Sequence, residues 1–111
     1  MKGKKYDQKK VRLDLLSSKW LMGVGKVLTF GAEKYAAHNW REGISASRLI
    51  AAFQRHMLAF NDGEDLDPET GLSHIYHASC CVMFLAELME TMPEQIDDRY
   101  KTPKQKGKKR K

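Results

Sequence analysis

The sequence is poor in cysteine and proline and lacks any long apolar run, and each shortage excludes something. The two cysteines, Cys80 and Cys81, are adjacent. Neighbours on one helix point in different directions, so they read as reduced, buried thiols of a cytosolic protein rather than as disulfide partners. No CxxC and no Cys/His ladder is present, which removes the common zinc frameworks. Proline occurs only at 68, 93 and 103, leaving 13–67 free of proline breaks. The longest uninterrupted apolar run, Cys80–Ala86, falls far short of the ~18 residues that suggest a membrane span. The basic N-terminus is not followed by an apolar stretch of signal-peptide type, so no export signal is expected and the location reads as cytoplasmic. Neither GxxxxGK[ST] nor GxGxxG occurs, so there is no phosphate loop of either kind.

What the chain has is charge, unevenly placed. Its 111 residues suggest one small domain with a net charge of +6. Residues 1–12 carry six basic groups against Asp7, and 101–111 carry seven with no acid. The body, 13–100, is therefore acidic at −6, and the basic pI belongs to the ends. The expected organisation is a flexible basic arm over 1–12, an α-helical domain over 13–100 and a flexible basic tail over 101–111. The tails offer weak nucleic-acid contact; the chemistry belongs to the acidic body.

Apolar residues in the body recur at helical spacing. Leu16, Trp20, Val24, Val27/Leu28 and Gly31/Tyr35 form one face. Residues 38–43 read as a loop. Ser45 or Ser47 caps a second helix with a face of Leu49/Ile50, Phe53, Met57 and Phe60, stopping near Asn61-Asp62-Gly63. An acidic loop follows, in which Asp67 before Pro68 caps a single turn. Ser73 caps a third helix through Ile75, Ala78, Val82, Leu85 and Met89 that ends before Pro93, and a short helix fits 94–100. No stretch alternates at period two. The fold expected is all-α, a small bundle of three main helices. The third helix is apolar around more than half its circumference, so a homo-oligomer, dimer or tetramer, is expected to complete the core.

Three of the four histidines, His56, His74 and His77, flank a loop bearing Glu64, Asp65, Asp67 and Glu69. His74 and His77 share a helix face. Imidazoles and carboxylates converging between facing helices are how bundles hold metal ions; the bland alternative is a solvated turn beside structural histidines. The spacing is neither an EF-hand nor HExxH. A second cluster comprises Lys34 and Arg55, which suit phosphates, Asn39, which suits a base edge, and Tyr35 and Trp40, which either stack on a base or pack at a helix end.

These residues occur in a specific order. Arg12-x-Asp14-Leu15 comes first, then Gly31-Ala32-x-Lys34-Tyr35, Asn39-Trp40-x-x-Gly43 and Arg55-His56. Last is Gly63-Glu64-Asp65-x-Asp67-x-Glu69-Thr70-Gly71-x-x-His74-x-x-His77-Ala78. The string, over roughly 12–90, resembles the small phage-type dATP/dGTP diphosphohydrolase domain, akin to MazG-like all-α nucleotide pyrophosphohydrolases. The resemblance implies hydrolysis of a deoxynucleoside triphosphate, a purine one, to its monophosphate and pyrophosphate, in the host cytoplasm if phage-encoded. It departs from the MazG-like pattern of ExxE and ExxD on successive helices. Glu87-x-x-Glu90 and Glu94-x-x-Asp97 lie too close together across Pro93 and read as surface charge, so histidines must replace some carboxylate ligands.

The resulting expectation is a divalent cation, Mn²⁺ or Mg²⁺, held among His56, Glu64, Asp67, His74 and His77, with imidazoles favouring Mn²⁺. The cation bridges the acidic body and the substrate phosphates and activates a water. Glu64, Asp67, Lys34 and Arg55 carry the catalysis; Lys34, Tyr35, Asn39, Trp40 and Arg55 bind the nucleotide. The alternative is a non-catalytic nucleotide- or nucleic-acid-binding phage accessory protein that works through its basic tails.

Overall fold

Serine hydroxyls set two of the long helices. Ser17 accepts from Trp20 N at 3.1 Å, opening α1 (Ser18–Lys34), and Ser73 accepts from Ile75 N at 3.0 Å, opening α3 (His74–Thr91). Each satisfies one of the backbone donors that a helix start leaves without a partner. In the computed structural model, which describes residues 2–102, the remaining helices are α2 (Ala46–Asn61) and α4 (Pro93–Ile96). Short 3₁₀ turns span Leu13–Leu15 and Asn39–Glu42. The described residues form no strand, only a single bridge between Leu66 and Ser73, and the all-α reading holds.

Three details differ from the sequence reading. Residues 38–43 are ordered as a 3₁₀ turn, entered by His38 at φ 64° and left by Gly43 at φ 112°. That last φ is one a side chain tolerates poorly, which explains the glycine. Ser45 occupies the N-cap of α2 without capping through its side chain. Asp98 does so from 51 positions downstream, accepting from Ser47 N at 2.8 Å and from Ser47 Oγ at 2.5 Å. Those bonds turn the chain after Ile96, and Arg99 closes on Asp97, so the helix expected over 94–100 is one turn starting at Pro93.

α3 is the centre of the bundle. α1, α2, α4 and the Asn39–Glu42 turn all pack on it, which accounts for a helix apolar on several sides. The core gathers Trp40, Ala46, Leu49, Leu88 and Ile96 between α2, α3, α4 and the turn. α1 docks most closely along its first half. There Trp20 Nε1 donates to Ser79 Oγ at 2.9 Å, Cys80 Sγ lies 3.7 Å from Val24 O, and Gly23 lies beneath the Tyr76 ring. A Cβ at Gly23 would sit 2.3 Å from that ring, so the close approach of α1 requires glycine there. The far half of α1 forms the wall of a cleft with α3.

The arm over 2–12 is exposed throughout. The basic tail expected over 101–111 lies, beyond Thr102, outside the described residues. No helix among the described residues is long and apolar enough to cross a membrane.

Candidate functional site

The acidic loop between α2 and α3 is tied by its own backbone. Asp67 N donates to Leu72 O at 2.8 Å, and His74 N donates to Asp65 O at 3.1 Å. As expected, Asp67 caps a turn, its Oδ1 accepting from Glu69 N at 2.8 Å and Thr70 N at 3.0 Å. This fixes the carboxylate and leaves Oδ2 directed at His56 Nδ1, 4.0 Å away. His74, 3% exposed at the start of α3, places its Nδ1 2.9 Å from His56 Nδ1. Donor atoms from His56, Asp67 and His74 all lie within 4.8 Å of one another.

Glu64 and His77, also expected as ligands, stand one step outside that group. Glu64 Oε1 lies 2.7 Å from His74 Nε2 and orients the ring through its outer nitrogen. The His77 ring stacks on His56 at 4.7 Å with 10° between planes, while its Nε2 meets Thr70 Oγ1 at 2.7 Å. Thr70, absent from the sequence-based set, thus positions His77 and also receives Leu72 N at 3.1 Å.

The protonation states suit a cation. Burial, followed by the neighbouring His77 and His74, holds His56 below the ordinary histidine value despite the opposing pull of Asp67. Burial likewise lowers His77, against Asp67 and Glu69. For Asp67, burial acts upward, but the Thr70 and Glu69 amides and the nearby imidazoles outweigh it, leaving the carboxyl below its ordinary value. Neutral imidazole and ionised carboxylate are the ligand forms. Two nitrogens and one oxygen from the protein would leave coordination positions open to substrate and water, the arrangement of catalytic rather than structural sites.

His56 and His77 also line the cleft, which has a volume of about 630 Å³. Lys34, Tyr35, Asn39 and Trp40 line it too. Lys34 Nζ pairs with Glu69 Oε2 at 2.7 Å across its mouth, and that carboxylate raises the lysine above its ordinary value. Tyr35 is exposed beside Lys34, with the ammonium 5.3 Å from its ring. Trp40 is buried and stacked on Phe84 at 4.7 Å, the packing role that the sequence left open. Arg55 is exposed on α2 and is not among the residues lining the cleft.

The sequence reading missed Arg41 and Glu87. They form an ion pair at the far end of the cleft, so Glu87 is not simply surface charge. The signal was faint: Glu87 falls one helical stripe along from His77, Cys80 and Phe84, a pattern that apolar-face counting passes over.

A partly buried His/Asp cluster beside a cleft on an all-helical frame is a candidate metal-ligating site. The family model described as dATP/dGTP diphosphohydrolase, N-terminal, matches residues 1–99, and the chain belongs to that family. It is 38% identical over 100 residues to a Salmonella phage PMBT28 protein named dATP/dGTP diphosphohydrolase, covering 90% of this chain and 34% of the relative. The chain thus spans about a third of that relative's length. No solved structure matches it.

Proposed function

We propose that the chain binds a purine deoxynucleoside triphosphate in the cleft and cleaves it to the monophosphate and pyrophosphate with the help of a divalent cation. The observation that carries this reading is the convergence of His56, Asp67 and His74 donor atoms within 4.8 Å, on a histidine that also lines the cleft. The family and the relative's name supply the substrate class.

His56, Asp67 and His74 would hold the cation, and their mixture of imidazole and carboxylate favours Mn²⁺ over Mg²⁺. Bound there, such an ion polarises a phosphoryl oxygen and eases deprotonation of a water. Glu64 fixes the His74 ring, and Thr70 fixes His77 against His56, so the cluster is set before substrate arrives. Lys34 is the lysine facing the cleft, and it exchanges Glu69 for phosphate oxygens as charge builds on them. Exposed Tyr35 offers a ring for stacking and Asn39 an amide for hydrogen bonding. Arg55 would meet phosphate only outside the cleft lining.

Assembly into a homo-oligomer belongs to the same proposal. Leu13 (68% exposed), Leu15 (72%) and Met22 (64%) leave apolar surface open around the start of α1.

The test is an assay of the purified chain against the four dNTPs with Mn²⁺ or Mg²⁺. Pyrophosphate release that stops with EDTA and with Asp67→Asn supports the enzyme. A second reading, a nucleic-acid-binding accessory protein, rests on the basic, fully exposed arm over 2–12. Salt-sensitive DNA binding that disappears with the arm and tail, without nucleotide hydrolysis, supports that alternative.

A further inference from the structure

One short stretch of chain places three kinds of contact along the cleft. Lys34 ends α1, Tyr35 follows with its side chain exposed, and Asn39 opens the 3₁₀ turn; all three line the cleft. The Lys34 ammonium reaches the acidic loop, meeting Glu69 Oε2 at 2.7 Å, and lies 5.3 Å from the Tyr35 ring centroid. Charge, ring and amide thus succeed one another between Lys34 and Asn39.

The turn that carries Asn39 is firmly anchored. Trp40, the next residue, is buried and stacks on Phe84 at 4.7 Å with 19° between planes. Asn39 N donates to Ala36 O at 3.2 Å, and Gly43 N donates to Trp40 O at 3.1 Å. The polar neighbours are engaged with one another: Arg41 Nε donates to His38 Nδ1 at 3.0 Å, and its Nη1 bonds Glu87 Oε2. The exposed Asn39 side-chain amide bonds to none of the described residues. An uncommitted donor and an uncommitted acceptor are therefore presented from a fixed backbone.

A primary amide suits both purines. Adenine and guanine share an acceptor at N7; beside it adenine carries a 6-amino donor and guanine the O6 acceptor. The amide can donate from Nδ2 to N7 in either case. With adenine its Oδ1 also accepts from the amino group, and with guanine the NH₂ group serves N7 and O6 together. Cytosine and thymine have a carbon in place of that ring nitrogen and leave the donor unmatched.

We infer that Asn39 is the residue that selects purines over pyrimidines, its Nδ2 donating to N7 of adenine or guanine alike. This rests on the cleft being the nucleotide site. It allows adenine and guanine substrates together, because the contact is to the atom the two purines share. Stacking on Tyr35 is open to every base, since each has a π-face, so the ring adds affinity and the amide adds the choice.

The test is calorimetric binding to the full chain, with Mn²⁺, of α,β-imido analogues of the four dNTPs and of 7-deaza-dATP and 7-deaza-dGTP. The 7-deaza compounds keep the stacking surface of a purine and lack only the N7 acceptor. Each should bind roughly three- to tenfold more weakly than its parent, the usual worth of one hydrogen bond. Asn39→Leu, with helical content checked by circular dichroism, should weaken both purine analogues by a similar factor and leave the pyrimidine analogues unchanged. On that variant the 7-deaza compounds should bind as tightly as their parents, because the two removals delete the same bond. Equal binding of parent and 7-deaza compounds by the unaltered chain would overturn the inference while leaving the nucleotide site standing. So would a 7-deaza loss that persists in Asn39→Leu, because N7 is then read by another group, or a variant that weakens purines and pyrimidines alike. Binding of none of the analogues would remove the nucleotide site itself, and the inference with it.

Discussion

His56 and His74 meet through like atoms, their Nδ1 nitrogens 2.9 Å apart. A hydrogen bond there needs a proton on one nitrogen and a lone pair on the other. Glu64 accepts from His74 Nε2 at 2.7 Å, so in neutral His74 that nitrogen carries the proton and Nδ1 is the acceptor. His56 Nδ1–H is then the donor. A cation ligated by His56 Nδ1 would displace that proton to Nε2 of the same neutral ring.

Metal binding near pH 8, where His56 is neutral, should therefore switch its tautomer with no net proton release. Titrating Mn²⁺ into the protein there, in buffers of different ionisation enthalpy, should give the same apparent heat. Glu64→Gln should weaken Mn²⁺ binding by roughly 10–100-fold, the usual cost of losing an outer partner of a histidine ligand. Asp67→Asn should weaken it further and remove the thermal stabilisation that Mn²⁺ confers. Unaltered Mn²⁺ affinity in both variants would place the ion elsewhere.

His77→Ala separates a ligand from a positioning residue. Its Nε2 is engaged by Thr70, and its ring covers His56. The variant should retain Mn²⁺ binding, with reduced affinity, whereas His74→Ala should lose it. Calorimetry on the two side by side reads the difference; equal and complete loss would make His77 a ligand.

The two glycines of the first half of α1 should behave oppositely. Gly23→Ala drives a methyl into the Tyr76 ring and should cost about 1–3 kcal/mol. Gly25 has nothing within 4 Å of a Cβ, so Gly25→Ala should stabilise the helix by about 0.5–1 kcal/mol. Urea unfolding midpoints measure both. Similar effects of the two substitutions would refute the close docking of α1 on α3.

Stability should fall on mild acidification. Burial holds His56 and His77 below the ordinary histidine value, so between the folded and unfolded values the unfolded chain binds more protons. Their contribution is fully present above about pH 6.5, the unfolded value, and declines as pH falls toward the folded values. Asp67 adds a further loss below the ordinary carboxyl range, because its folded value is also depressed. Urea midpoints at pH 7.5, 6 and 5 without metal should decrease in that order; a flat series would contradict the burial of the pair.

The thiols should be silent in the folded protein. Burial pushes Cys80 up to about 12 and raises Cys81 as well. At pH 8 a disulfide reagent should modify neither quickly, and both should react after unfolding in urea. Fast labelling of Cys80 in the native protein would show that α1 lifts away from α3.

The sequence by itself determined the helical class, the three long helices and their approximate limits. Apolar spacing, serine caps and the position of Pro93 act within a few residues, and local rules suffice for them. It also marked the acidic loop and its histidines as one neighbourhood, because a short hairpin connection must bring the ends of α2 and α3 together. Tertiary structure alone decided which of those groups converge. The Asp67 turn aims its carboxylate at His56, Glu64 orients His74, and Thr70 draws His77 aside, outcomes that depend on side-chain directions fixed by packing. It likewise decided that Asp98 caps α2, that Trp40 belongs to the core while Tyr35 stays exposed, and that Arg41 meets Glu87 at the far end of the cleft. Each of these joins residues distant in sequence or distinguishes residues of the same type. No local periodicity carries that information, because it arises only when α1, α2 and the Asn39–Glu42 turn close around α3.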